Sequence, residues 1–346
     1  AIRSRPIDNN AVECLKQPVR EILCALGFDE IITYSLIGKD MLEEESSSEA
    51  VRLRNPLSSE QEYLRSTLTN SALQCLAYNM NRANKNARFF EISHVFDSIK
   101  CHGFYPRFDA VPRRILAECK RRGGRPEGSS LDAAYQETMS LAILATGARI
   151  DEWKIKQEMD FFALKGTIEV LLQRLGISGV GFNPLGEQRV FVDNESAQIA
   201  CQNKTIGVFG RINNSLLVRF GIKHAPAVFY AEIFLSQLCT CHRDTQRFIP
   251  LSIYPSLARD MSLIAKDSIR YEALASTIQA AAGPSLKKIT LIDRYRGEQI
   301  PRGCMSVTVS LAFGLEDRTL SDQEVSALLS RIAQKLKADF AIEVRA

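Results

Sequence analysis

From Cys304 to Phe313 the chain alternates without a slip: Met305, Val307, Val309, Leu311 and Phe313 are large and apolar, and Cys304, Ser306, Thr308, Ser310 and Ala312 between them are small. A period of two over such a run specifies a strand with one greasy face, and a one-residue slip would expose all of that face at once. The chain must therefore supply a layer to cover it. The flanking segments do so: a strand at Asp260–Ala265, a helix at Tyr271–Ala282, a strand at Lys288–Arg294, then after the alternating strand a helix at Asp322–Lys337 and a strand at Phe340–Val344. Ser321 and Glu324 form a capping-box pair, and Val325, Leu328, Leu329, Ile332 and Leu336 share one face of the second helix. The order is βαββαβ, the ferredoxin-like split repeat.

Two helices cover only one side of a sheet. The other side would present the short hydroxyls of Ser306, Thr308 and Ser310, which leave room for a flat ligand and offer it hydrogen bonds. An ordinary solvated face has the same composition, and this strand alone does not separate the two.

The chain's 346 residues, 45% of them hydrophobic, exceed what one core usually organises, so two domains are expected. A helical stripe at Val12, Leu15, Val19, Ile22, Leu23 and Leu26 ends at Gly27, with Pro18 either kinking the helix or marking its real start. A strand at Glu30–Ile37 follows. Leu64, Leu68, Leu73, Leu76 and Met80 predict a second helix, Phe89–Phe96 a buried strand, Thr138–Thr146 another, and Phe161 to Leu175 a helix stopped by Gly176. Strands at Thr205–Ile212 and Val228–Phe234 complete this platform. Pro106 to Gly128, with Arg113, Arg114, Lys120, Arg121, Arg122 and Arg125, reads as a solvated basic insertion that either touches phosphate or is simply charged. The boundaries expected are 1–238 for the platform, 239–253 for a surface linker and 254–346 for the small domain.

No run is long and apolar enough to span a bilayer, and the first ten residues lack the core of a signal peptide, so a cytoplasmic chain is expected. Nine cysteines without a CxxC pair argue against a disulfide framework, and Cys239, Cys241 and His242 lack a second ligand pair, so no metal site is expected. A net charge of +4 permits a polyanionic partner without requiring one.

YPSLARDMSLIA, IDRYRGEQIP and DRTLSDQEV, in that order from Tyr254 onward, resemble the ferredoxin-fold anticodon-binding domain that ends the β subunit of bacterial phenylalanyl-tRNA synthetase. NPLSSEQEYLRSTL at 55–68, NKNARFFEISHVF at 84–96 and DFFALKG at 160–166 resemble the catalytic-like module of the same subunit. The resemblance covers the whole chain and implies an α+β protein: a class II synthetase-like antiparallel sheet platform with helices, followed by the βαββαβ domain. The family's upstream domains have no counterpart here, which suggests a C-terminal fragment or a truncated homologue.

The resemblance further implies a non-catalytic role for the platform. Class II chemistry needs arginines on the ATP phosphates, where charge builds in the transition state. Asp97 stands about where the first belongs, and Tyr230 to Leu238 has neither the glycines nor the arginine of the second. No catalytic residue is therefore expected, and no cofactor in this portion; ATP and magnesium belong to the holoenzyme, a heterotetramer with a catalytic α subunit. Val19–Tyr34 and Ser66–Met80 are the expected pairing elements, with plain core packing as the alternative for each residue.

For tRNA(Phe) contact, the resemblance implies Asp293 and Tyr295 on the second strand, Ser306 on the third and Ser262 on the first. Tyr295 would stack on an unpaired base, Asp293 would accept from a guanine edge, and Ser306 would donate or accept. Strict alternation gives Asp293 and Tyr295 the parity of the core residues Ile289 and Leu291, so a bulge or the strand's end must turn them outward. Arg259, Arg296, Arg302 and Arg318 would meet phosphate, or else close salt bridges within the domain. Two further function classes stay open: a free-standing RNA-binding paralogue and an autonomous ligase, the latter disfavoured by Asp97.

Overall fold

In the computed structural model, which describes residues 11–42, 50–98, 135–151, 156–186, 188–202, 204–223, 226–241, 253–297 and 300–345, the N-terminal stripe becomes helix α1 (Ala11–Ala25). It starts at Ala11 and passes through Pro18, so it does not begin there. Gly27, at φ +81°, reverses the chain, and Phe28 N donates back to Leu23 O at 3.0 Å, closing the helix end. The strand expected over Glu30–Ile37 is instead two short pieces, β1 (Asp29–Glu30) and β2 (Leu36–Ile37). Between them Thr33 gives its N–H to the Glu91 carboxylate at 3.2 Å, so a side chain takes the place of a ladder partner. β2 pairs with β3 (Tyr63–Leu64), which claims Leu64 for a strand; helix α2 begins only at Thr69 and runs to Met80.

The strands β4 (Ala87–Ser98) and β5 (Tyr135–Thr146) follow, then a small hairpin of β6 (Ala148–Asp151) and β7 (Lys156–Glu158). Helix α3 (Phe161–Arg174) is capped by Asp160, whose carboxylate accepts from Ala163 N at 2.6 Å. After it come β8 (Val180–Pro184), β9 (Phe191–Cys201), β10 (Lys204–Ile212), the short helix α4 (Asn214–Arg219), β11 (Val228–Phe234) and the single turn α5 (Leu235–Leu238). Seven of these strands form one sheet in the order β1-β4-β5-β11-β10-β9-β8, antiparallel except where β1 meets β4.

This sheet carries a core on each face. On one, Leu15, Val19 and Leu23 of α1 and Leu164, Ile168 and Leu171 of α3 pack on Phe90, Ile143, Ala231 and Ile233. On the other, Leu68 and the α2 residues Leu73 and Leu76 pack on Phe89, Leu144, Val208 and Tyr230. The expected surface linker begins later than 239: Cys241 is buried in the first core and Cys239 packs against it, because α5 turns the chain inward. His242, the segment 106–128 and the Asp97 side chain lie outside the described residues.

Contacts divide the chain at Gln246/Arg247. In the second unit β12 (Leu257–Lys266), helix α6 (Tyr271–Ala282), β13 (Leu286–Tyr295), β14 (Cys304–Phe313), helix α7 (Asp322–Phe340) and β15 (Glu343–Arg345) give the sheet β13-β14-β12-β15. The last strand was expected from Phe340. Instead Phe340 ends the helix and Ala341, at φ +53°, caps it in the left-handed region before the strand can start. Met305, Val307, Val309, Leu311 and Phe313 are all buried, with Leu274, Ile278, Val325, Ile332 and Leu336 from the two helices in the same core. Ser321 Oγ and the Glu324 backbone N–H, with the reciprocal Glu324 carboxylate to the Ser321 N–H at 2.9 Å, close the capping box.

Candidate nucleic-acid interface

The open face of the small sheet is built by register. Directly opposed residues on neighbouring strands share a face. Ser262 lies opposite Thr308, Asp260 opposite Ser310 and Lys266 opposite Cys304, so the hydroxyl side of β14 continues onto β12. Ser262 Oγ and Thr308 Oγ1 are 3.0 Å apart and share a hydrogen bond across the middle of this face.

β13 joins the face through a bulge. Ile289 and Leu291 oppose the buried Leu311 and Val309, but the register then shifts at Ile292, and Asp293 opposes Thr308 while Tyr295 opposes Ser306. One extra residue has exchanged the two sides of the strand. Asp293 and Tyr295 therefore stand on the hydroxyl face with Ser306 and Ser262. Tyr295 is 53% exposed, enough ring surface for a base to cover.

The four arginines divide. Arg296 Nη2 reaches Asp267 Oδ1 at 3.0 Å, at the same end of the sheet as Tyr295 and Lys266. Arg302 follows in the β13–β14 connection and makes no ion pair among the described residues. By contrast, Arg259 opposes the buried Leu311, which puts it on the helix side, and its Nη2 holds Asp322 at 2.5 Å at the start of α7. Arg318 grips Glu324 with both terminal nitrogens, at 2.9 and 2.6 Å, and with the Ser321 contacts this holds the Glu324 carboxyl down to about 2. The structure thus gathers Ser262, Asp293, Tyr295 and Ser306, sets Arg296 and Arg302 beside them, and leaves Arg259 and Arg318 at the helix end.

On the platform, two carboxylates stand on the face covered by α2, and both are already held. Glu91 accepts from Arg65 Nη2 at 3.0 Å and from Thr33 Oγ1 at 2.8 Å. Glu232 accepts from Thr67 Oγ1 and Tyr230 Oη at 2.8 Å each and from Leu68 N at 3.3 Å. Sequence reasoning passed over this network, although a lone Glu within the apolar strands FFEIS and FYAEIF was its signal. Among the described residues no group of His, Cys, Asp or Glu could hold a metal ion. Beside β1 and α2 runs a groove of about 580 Å³ lined by Ile32, Tyr34, Gln74, Cys75 and Tyr78. Three of these are large apolar side chains left in water, Ile32 at 91%, Tyr34 at 80% and Tyr78 at 58% exposed.

Comparison with known proteins agrees with this division. Residues 2–235 match the family described as the phenylalanyl tRNA synthetase beta chain CLM domain, and residues 252–345 match the ferredoxin-fold anticodon binding domain. The phenylalanine–tRNA ligase β subunit of Carboxydothermus hydrogenoformans is 28% identical over 334 residues, 94% of this chain and 38% of that protein. That of Geobacter metallireducens is 28% identical over 343 residues, 96% of this chain and again 38% of its own length. The chain thus spans 38% of the length of these curated relatives. A pyrrolysyl-tRNA synthetase of Desulfitobacterium hafniense aligns over 66% of this chain and 65% of its own, at 14% identity and a TM-score of 0.46, too loose a likeness to support an argument.

Proposed function

This chain belongs to the phenylalanyl-tRNA synthetase β chain family, and from that premise we propose that it serves phenylalanine–tRNA ligation in the cytoplasm as a non-catalytic part, reading the tRNA(Phe) anticodon and docking a catalytic α subunit. The observation that carries the first half is the bulge at Ile292, which brings Asp293 and Tyr295 onto one exposed face with Ser306 and Ser262. In this reading Tyr295 stacks on an unpaired anticodon base, Asp293 accepts from a base edge, and the serine hydroxyls complete the hydrogen bonding. Arg296 and Arg302 meet phosphate at the same end; an exposed pair such as Arg296–Asp267 contributes at most about 1 kcal/mol and yields readily to a phosphate. Arg259 and Arg318 are left to their carboxylates.

Docking is supported by the groove beside β1 and α2, where Ile32, Tyr34 and Tyr78 form an apolar surface that a partner would remove from water. It overlaps both segments expected to pair, Val19–Tyr34 and Ser66–Met80. Catalysis by this chain is not part of the proposal. The sheet face carrying Glu91 and Glu232 is packed against α2, and both carboxylates accept from the chain's own donors, which favours a structural role for them. In this reading ATP and magnesium belong to the holoenzyme through its α subunit, within a heterotetramer.

Titrating the purified chain with a tRNA(Phe) anticodon stem-loop tests the first half. Binding that weakens when the anticodon bases are changed is the expected result, and equal affinity for an unrelated stem-loop would sink the proposal.

A further inference from the structure

Gly297 follows Tyr295 by two residues, and its φ lies outside the left-handed region, so backbone conformation does not call for glycine there. Space does. A Cβ on residue 297 would stand 2.0 Å from Tyr295 Oη, 2.4 Å from Cζ and 2.7 Å from Cε1. Such distances are far inside van der Waals contact, so either the backbone or the ring must give way. The backbone is tied. Gly297 O accepts from Ile300 N at 3.0 Å, and Ile300 is buried. The ring is the free end of a side chain that turns about two bonds.

We propose that Gly297 is a positioning residue: by having no side chain it seats the phenol end of Tyr295 against residue 297 and fixes where the ring stands on the open face of the sheet. Any Cβ at 297 swings the ring off that seat. The inference rests on the anticodon reading for its effect on RNA and on geometry alone for its effect on the ring. A preset ring binds a base without first being ordered, which is where preorganisation gains affinity.

The test uses the full chain in four forms: wild type, Gly297→Ala, Tyr295→Ala and the double variant. Anticodon stem-loop affinity should fall roughly 5- to 150-fold in Tyr295→Ala, the factor for losing one base–aromatic stack. Gly297→Ala should lose much of the same factor, and the double variant should bind no worse than Tyr295→Ala. Wild-type affinity in Gly297→Ala, or losses that multiply in the double variant, would overturn the proposal. Fluorotyrosine labelling, with the Tyr295 signal assigned by Tyr295→Phe, reads the ring without RNA: its resonance should move in Gly297→Ala, and an unmoved resonance overturns the seat. An unchanged affinity in Tyr295→Ala would overturn the anticodon reading, leaving the fluorine shift to decide the seat. Were Gly297→Ala to unfold the small domain, the double variant, which lacks the ring, should fold; its unfolding would place the clash elsewhere and overturn the proposal.

Discussion

Arg65 donates from Nη2 to Glu91 Oε1 at 3.0 Å, and the two side chains are 1% and 2% exposed, so a full ion pair is sealed inside the platform. Arg65 also bonds the His94 carbonyl at 3.2 Å and Thr33 Oγ1 at 2.5 Å, which ties the segment between β1 and β2 to β4. Removing one partner of a sealed pair leaves the other charged and unmatched, at about 3–5 kcal/mol. Arg65→Met should lower the urea midpoint accordingly, and adding Glu91→Leu should recover a large part of the loss. A single variant within about 0.5 kcal/mol of wild type, the range of ordinary surface changes, would mean that water reaches the pair.

The bulge predicts how two deletions in β13 differ. Removing Ile292 takes out the extra residue and leaves Tyr295 opposite Ser306, so stem-loop affinity should hold within a few-fold. Removing Arg294 brings Tyr295 opposite Val307, on the helix side, and affinity should drop as in Tyr295→Ala, roughly 5- to 150-fold. Equal losses in the two deletions would mean that facing is not what matters.

At the start of α7, Ser321→Ala should destabilise the small domain by about 1 kcal/mol, the usual worth of such a cap, read from thermal unfolding of the full chain. Glu324 gives the pH dependence. Its carboxyl sits at about 2 in the fold, lowered chiefly by Arg318, against an ordinary 4.5. A depressed carboxyl stabilises fully above its unfolded value and loses that contribution as the pH falls from about 4.5 through about 2. Acid unfolding of the small domain should therefore be shallower over that range in Glu324→Gln than in wild type. Parallel curves would remove Glu324 from the account.

For the groove, Ile32→Asp and Tyr34→Asp alter side chains already in water and should shift stability by no more than about 0.5 kcal/mol. Gel filtration with the cognate α subunit should nevertheless show co-elution lost, because a charge would be buried at the contact. Intact co-elution in both variants would move the docking surface elsewhere.

How much of this was readable beforehand varies by element. Cys304–Phe313 and Tyr271–Ala282 are legible to the residue because their periods are unbroken, and Val228–Phe234 because it is an apolar run interrupted only by Glu232. β9 was not, since Asp193, Asn194 and Glu195 interrupt its apolar period and Asn194 takes φ +62° within the strand. β8, with Gly181 and Pro184 in five residues, carries too little β propensity to be seen. The parity conflict at Asp293 and Tyr295 was visible, and so were its two remedies, a bulge or the strand's end; that a bulge at Ile292 resolves it was not, because an isoleucine there reads as one more strand residue. Nor can composition distinguish Ile32 and Tyr34, in water, from Phe28, in the core, since all three are large hydrophobic residues in one short stretch.

The doubly packed sheet also limits how the platform can change. Opening a ligand pocket on the α2 face would mean truncating residues such as Leu68, Leu73, Leu76 and Phe89, at about 2–5 kcal/mol each, against a whole-domain stability of about 5–15 kcal/mol. Two or three such steps would unfold the platform before a pocket existed to be selected. A platform packed on this face cannot gain a pocket there one substitution at a time.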